Sequence, residues 1–275
     1  MRGNAVDQLK ADRLFGSGGA GSVIGAAGEV VATCDSTMDV ARTRLRNGAP
    51  DGYAVAAEHQ TAGRGREGAW VCPPGRGLLM SVVLRLRLPA RERKLLTILG
   101  AVAAAEAIRG FGLHARIKWP NDVVMAAYRR GGLHVGKLGG VLVEAERQGD
   151  SAPAHVLGIG INVNLSAADL PTGAAVAPTS MQMVAGREFS RTVVGRALLA
   201  QLDEWYRRVS MGQSEALLAR WRRRSCMVGH AVRARVGRRV LAGTVLGIRS
   251  SGELILQDEH GERQLLSDRN ARLLL

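Results

Sequence analysis

Between residues 29 and 163 the apolar positions fall in short runs bounded by Gly, Pro, Asn and Asp, and beyond residue 190 they change to a helical spacing. Glu29 to Cys34 reads as a strand. Ser36 stands at an N-cap position, with Asp39 three residues on and Val40, Ala41 and Leu45 as an apolar face, so a helix should run to Asn47-Gly48. Tyr53 to Glu58 is a second strand and Leu78 to Leu88 a third, with Val83, Arg85 and Arg87 at alternate positions. Lys94 to Arg109 is an Ala-rich helix stopped by Gly110 and Gly112. Strands follow at 114–118, 122–127, 137–146 and 155–163, the middle pair joined through an Arg129-Arg130-Gly131-Gly132 turn. Ser190 caps a long amphipathic helix through Val209, and Ser214 to Arg224 forms another.

Beyond Cys226 short strands with turns at Gly237, Gly247, Gly252 and Gly261 have the look of a small all-β barrel. Residues 15–28 are too rich in Gly, Ser and Ala to hold a packed element and read as flexible. The division is therefore a lead-in at 1–28, a large unit at 29–225 and a small one at 226–275, with no repeats and no coiled coil.

Composition narrows the classes. A chain of 275 residues with 46% hydrophobic content and mean hydropathy near zero can bury a full core and should be soluble. No apolar run approaches the roughly 18 residues of a membrane span, and the polar stretch Met1 to Lys10 is not a signal peptide. Cys34, Cys72 and Cys226 lack metal-ligand spacing and read as free thiols of a cytoplasmic protein.

The net charge of +14 raises nucleic acid as a partner. Residues 220–275 hold 12 Arg against 5 acidic residues, half of the total excess. That tail lacks the aromatic interleaving of single-strand binders, since the whole chain is only 4% aromatic. An acidic protein surface would be drawn by the same field.

Of 38 basic residues only four are lysine, at 10, 94, 118 and 137. Lysine is a compact point charge, arginine a forked and permanent one, so the two lysines kept inside short polar and Gly-rich runs, at 118 and 137, mark places where one oxygen must be reached. Three segments carry candidate chemistry. Gln60-Thr61-Ala62-Gly63-Arg64-Gly65-Arg66-Glu67-Gly68 follows a strand; its glycines let the backbone approach a ligand while two guanidinia offer forked donors to carboxylate or phosphate. Lys118-Trp119-Pro120-Asn121-Asp122 sets a cation, an amide and a carboxylate around a proline turn. Gly136-Lys137-Leu138-Gly139-Gly140 pairs with Gly158-Ile159-Gly160-Ile161-Asn162, whose alternate glycines would leave one sheet face flat enough for a small ligand.

With Ser36-Thr37 before them and Val141-Leu142-Val143-Glu144 continuing the Lys137 run, these segments in this order resemble the biotin protein ligase family over residues 29 to about 272. The resemblance implies an α+β fold: a mixed β-sheet catalytic domain flanked by helices, like class II aminoacyl-tRNA synthetases, with a small C-terminal SH3-like β-barrel. It implies a two-step ligase reaction in which biotin and MgATP give biotinyl-5'-AMP and pyrophosphate, and the acyl group then passes to a lysine of a biotin carboxyl carrier domain. By the same resemblance Ser36, Thr37, Met38 and Gln60 meet biotin, backed by Gly158 and Gly160, while Arg64, Gly65 and Arg66 close over it. Lys137 reaches the reacting oxygens, and Lys137, Arg66 and Asp122 are the catalytic candidates. Arg64, Arg66, Trp70, Lys118, Asn121 and Asn162 are candidates for the nucleotide. Asp122 either orients Lys137 or helps hold Mg²⁺.

Two departures stand out. Met38 occupies a position where the family usually has Asn. The family's Gly-Arg-Gly-Arg-x-Gly-Arg-x-Trp is here one residue shorter, at Gly68-Ala69-Trp70, and lacks the third arginine, for which Arg76 is a candidate substitute. The 35 residues ahead of Ser36 leave no room for a winged-helix DNA-binding domain, so the expectation is a monofunctional ligase, a monomer or weak homodimer, with no specific DNA binding and no membrane association. The competing readings are a lipoate ligase or octanoyltransferase on the related fold, and a basic nucleic-acid binder.

Overall fold

The computed structural model describes residues 7–274 apart from 17, 18, 20, 67, 130, 131, 147–152, 172, 174 and 175. Among the described residues, seven strands form one mixed sheet: β1 (Gly28–Cys34), β2 (Ala54–Gln60), β3 (Gly77–Leu84), β4 (Arg116–Lys118), β5 (Asp122–Arg129), β6 (Gly132–Glu146) and β7 (Ala154–Asn162). Their spatial order is β1-β2-β3-β7-β6-β5-β4, with β1 parallel to β2 and every other neighbour antiparallel.

Helices cover both faces. On one lies α2 (Thr37–Arg46), whose Met38, Ala41 and Leu45 pack on Val55, Val83, Ala154 and Val156. On the other lies α3 (Leu95–Arg109), apolar nearly all round, with α5 (Arg191–Ser210) and α6 (Ser214–Arg224) against it. A helix apolar on every side must be buried on every side. Gly100 lets α3 come close to the sheet, because a Cβ there would stand 2.8 Å from Val141 Cγ1 and 2.9 Å from Leu157 Cδ1.

The chain before β1 does not behave as the Gly-rich composition predicts. A short helix α1 (Ala11–Leu14) precedes it, Leu9, Leu14, Phe15 and Ile24 are buried in the main core, and Asp203 Oδ1 accepts from Val23 N and Ile24 N at 2.8 and 3.0 Å. Glycine here serves turns: Gly16 and Gly25 take φ of 72° and 75° and are hydrogen-bonded to one another, which folds the stretch back on itself.

The third strand ends at Leu84, four residues early, because its partner β7 starts at Ala154 and Leu84 already pairs with His155. The strand expected from 137 begins at Gly132 in β6; the turn residues Arg130 and Gly131 lie outside the described set. A short helix α4 (Met181–Ala185), capped by Ser180, precedes α5. Beyond Cys226, strands β8 (Ala231–Val236), β9 (Arg239–Ile248), β10 (Leu254–Gln257), β11 (Arg263–Leu266) and β12 (Ala271–Leu274) form an antiparallel sheet in the order β11-β10-β9-β8-β12. This is the small all-β unit expected there, an open sheet by its backbone pairing among the described residues. Gly247 is not a turn: it lies inside β9 at a bulge, where the partners of Ile255 and Leu256 are Gly247 and Val245.

Candidate functional site

The site lies on the α2 face of the sheet. Ser36 caps α2, its hydroxyl oxygen accepting from Met38 N at 3.3 Å, and the first turn of α2 lies against the end of β2 and the middle of β3. Gln60, last residue of β2, meets Thr37 there: its Oε1 accepts from Thr37 N at 2.8 Å and from Thr37 Oγ1 at 3.0 Å. Thr37 Oγ1 is also 2.8 Å from the hydroxyl of Ser81 on β3. Ser36, Thr37, Gln60 and Ser81 are all buried, so the polar end of the site is a closed hydrogen-bonded cluster.

The expected glycine face is present but not bare. A Cβ on Gly158 would stand 2.8 Å from Met38 Sδ, and one on Gly160 would stand 2.3 Å from Trp70 Nε1. Met38 is thus part of the floor and buried with the small apolar cluster under α2. The indole of Trp70 lies across Gly160, with Lys137 Nζ 5.6 Å from its ring centre. The pocket consequently has only about 40 Å³ of free space, enough for a few waters. A ligand lying on Gly160 has to displace that indole.

Lys137 reaches the site because β6 carries a bulge. Val123 pairs with Gly139 while Val124 pairs with Lys137, which leaves Leu138 as the extra residue. In a regular strand, residues two apart share a face, so Leu138 would face the pocket beside Gly140 and Lys137 would face the core. The bulge reverses this: Leu138 is fully buried in the core and Lys137 lines the pocket, its Cε 3.5 Å from a Cβ built on Gly140. Lys137 Nζ is then held by Asp122 Oδ1 at 2.6 Å, while Lys118 Nζ stands 3.8 Å from Asp122 Oδ2. Asp122 sits between two lysines, opposite Gly140 in the ladder.

The segment from Lys118 to Asp122 is a tight β4–β5 connection with a cis Trp119–Pro120 bond. Trp119 is turned away from the pocket, donating from Nε1 to Gly252 O at 2.9 Å. Asn121 donates to Val141 O at 2.7 Å and lines the pocket, whereas Lys118 and Asp122 stand behind its wall. Asn162 is also outside the wall; its amide donates to Thr179 O at 3.0 Å and Lys137 O at 3.3 Å. That contact braces the backbone of Lys137.

The loop after β2 is a short hairpin tied at its base, with Trp70 N donating to Gly63 O at 2.7 Å and Gly65 N to Gly68 O at 2.7 Å. Glu67 lies outside the described residues. Arg64 lines the pocket, but its guanidinium is directed to α2, where both nitrogens donate to Asp39 at 2.8 and 2.9 Å. The hydrogen bond from Arg64, aided by Arg42, holds the Asp39 carboxyl below its usual range against partial burial. Gly65 and Arg66 line the pocket too, and Arg66 Nη1 donates to Asp268 O at 3.1 Å.

Arg66 and Asn121 also border a second cavity of about 280 Å³, whose further lining includes Lys94, Thr97, Arg269 and Arg272. Lys94 is paired with Asp268 at 2.5 Å. These cations were not singled out by the sequence; Arg269 and Arg272 sit in a tail so basic that no one arginine stands out. Arg76 does not replace the missing third arginine, for it pairs with Glu188 at 3.4 Å and borders neither cavity. Ser81 was missed as well, although a lone hydroxyl in the run Gly77–Leu84, buried at every position, was its signal.

Residues 30–164 match the model of the Biotin/lipoate A/B protein ligase family. The chain is 32% identical over 234 residues to the bifunctional ligase/repressor BirA of Bacillus subtilis (strain 168), covering 84% of this chain and 70% of that one. It is 30% identical over 243 residues to the biotin--[acetyl-CoA-carboxylase] ligase of Paracoccus denitrificans, covering 85% and 95%. Among solved structures, biotin protein ligase from Aquifex aeolicus in complex with biotin and ATP superposes with a TM-score of 0.71 at 23% identity, over 90% of this chain and 98% of that one.

Proposed function

Because the chain belongs to the biotin and lipoate protein ligase family, we propose that it activates biotin with ATP as biotinyl-5'-AMP, releasing pyrophosphate, and passes the acyl group to a lysine of a biotin carboxyl carrier domain. The chain is a ligase, with biotin and ATP as its substrates. The observation that carries the assignment of residues is the meeting of two unlike cavities at Arg66 and Asn121, with Lys137 in the wall of the first. One is small and ends in neutral hydrogen-bonding groups; the other is larger and bordered by Lys94, Arg269 and Arg272. An uncharged head group with an acid tail suits the first and a triphosphate the second.

In the first step a carboxylate oxygen of biotin attacks the α-phosphorus, and pyrophosphate leaves with the pair of electrons from the broken P–O bond. Two like charges about 4 Å apart repel by about 4 kcal/mol at an effective dielectric near 20. Arg66, at the junction, and Lys137, in the wall of the first cavity, offset that repulsion and stabilise the charge that builds on the equatorial oxygens. Asp122 orients the Lys137 ammonium from behind the wall, and Lys118 balances the second carboxylate oxygen. In the second step the neutral amine of the carrier lysine attacks the acyl carbon, AMP leaves with the electrons of the broken C–O bond, and the nitrogen gives up one proton to solvent.

Mg²⁺ enters with the nucleotide in this reading. The residues do not fit a protein-held ion: Asp122 is bracketed by two ammonium groups, and among the described residues no group of three or more His, Cys, Asp or Glu could hold a metal.

Location in the cytoplasm, the carrier as partner and a single or weakly paired chain complete the proposal. No helix of the described residues is long and apolar enough to cross a membrane. The lipoate alternative is tested in the same assay as biotin. Purified protein is incubated with labelled ATP and biotin, lipoate or octanoate, and the acyl nucleotide is separated. The expected result is biotinyl-5'-AMP alone, reduced by about a hundredfold or more in Lys137→Ala. Equal adenylation of lipoate, or full activity in that variant, overturns the assignment.

A further inference from the structure

We propose that Ser81 is a positioning residue for this reaction: its hydroxyl donates to Thr37 and so presents the Thr37 oxygen as an acceptor for an N–H of the ligand. The inference rests on the biotin reading above and deepens it, since it names what the polar end of the pocket selects.

Ser81 is fully buried, between the apolar Leu79 and Val83 on the pocket face of β3, and pairs across the sheet with Gly158 and Val55. A hydroxyl taken out of water is costly unless it is hydrogen-bonded. Its contact with Thr37 can be given a direction. Thr37 N–H can only donate, so the Gln60 atom 2.8 Å from it must be the carbonyl oxygen whichever way the amide is drawn. A carbonyl oxygen has no proton, so Thr37 Oγ1, 3.0 Å from the same atom, gives it its single hydrogen. The 2.8 Å contact between Thr37 and Ser81 then has to run with Ser81 donating.

The relay Ser81 to Thr37 to Gln60 has a consequence inside the pocket. Thr37 retains one lone pair and no proton, and therefore accepts. The Gln60 amide nitrogen, fixed on the side away from Oε1 and lying beside Gly63, retains its two N–H donors. A cyclic urea, with N–H groups flanking a carbonyl, matches an acceptor set beside donors. A dithiolane or a saturated alkyl chain offers neither, and would leave the Thr37 oxygen and the Gln60 amide buried without partners, which is how a polar site rejects an apolar analogue.

The test measures steady-state adenylation in wild type, Ser81→Ala, Thr37→Val and the double variant. Ser81→Ala is expected to raise KM for biotin by about tenfold, the size of one hydrogen bond, with KM for ATP and kcat unchanged. In the Thr37→Val background the same change is expected to add nothing, because the relay is already cut. An unchanged KM for biotin, an equal rise for ATP, or full additivity with Thr37→Val overturns the proposal. Should the alanine variant not fold, Ser81→Cys, with a weaker donor of similar size, is expected to show a smaller rise confined to biotin, and anything else overturns the proposal. If wild type itself makes no biotinyl-5'-AMP, it is the biotin reading that fails, and the two failures are distinct.

Discussion

His155 is a buried imidazole with neither ring nitrogen hydrogen-bonded to the protein. Burial, and then the nearby Arg93 cation, lowers its pKa from the ordinary 6.5. A group whose folded pKa is depressed contributes stability that is complete above its unfolded value and is lost as pH falls through the folded one. His155→Leu should therefore leave the urea midpoint unchanged or raised near neutrality, and its advantage over wild type should widen between about pH 6.5 and pH 5. Denaturation curves at both ends of that range check the sign; an advantage that shrinks on acidification contradicts the assignment. Single residues were legible where a local rule fixes their partner. Ser36 announces itself as an N-cap, and Lys137 as a lysine among glycines. Ser81 and Asp39 act on side chains distant in the chain, and nothing in their flanking residues names those partners.

Element by element, the apolar periodicity located the strands and long helices of the large unit, because burial on one face or two leaves a spacing of two or of about 3.6. It failed at ends that are set by a partner. β3 stops where β7 begins, and Arg85 N is then satisfied by Asp51 Oδ1 at 2.9 Å rather than by a ladder. Composition misled most before β1, where the chain is clamped by a buried charge cluster: Arg191, fully buried at the first turn of α5, pairs with Glu58 Oε2 at 2.6 Å and with Asp7, while Glu58 Oε1 accepts from Leu9 N at 2.5 Å. Removing one member of a buried pair strands the other charge. Glu58→Ala is expected to cost about 3 kcal/mol, read as a lower denaturation midpoint. A loss under about 1 kcal/mol, the value of a surface pair, would show that water reaches Arg191.

At the scale of the whole molecule the two sheets meet at the site. Asp268, just before β12, holds Lys94 with its carboxylate and accepts from Arg66 with its carbonyl, so the small unit touches the loop that carries Arg66. That joint was invisible in the sequence, since the residues it joins are about two hundred positions apart. The excess charge was legible, and its task in this reading is to draw an acidic carrier. Raising ionic strength from about 0.01 to 0.15 M shortens the screening length from about 30 to about 8 Å. Transfer to the carrier should slow across that range more than adenylation, whose charges sit in contact. Stopped assays of each step at both salt levels decide it, and equal slowing removes the steering role.

The extra residue in β6 gives this enzyme a parity. Straightening the ladder with Leu138 retained would set Leu138 beside Gly140 and swing the ammonium of Lys137 into the oil beneath the sheet, whereas deleting Leu138 would set Lys137 two positions from Gly140 and keep it on the pocket face. A designer copying this fold has therefore to keep the irregularity and the extra residue together, or discard both.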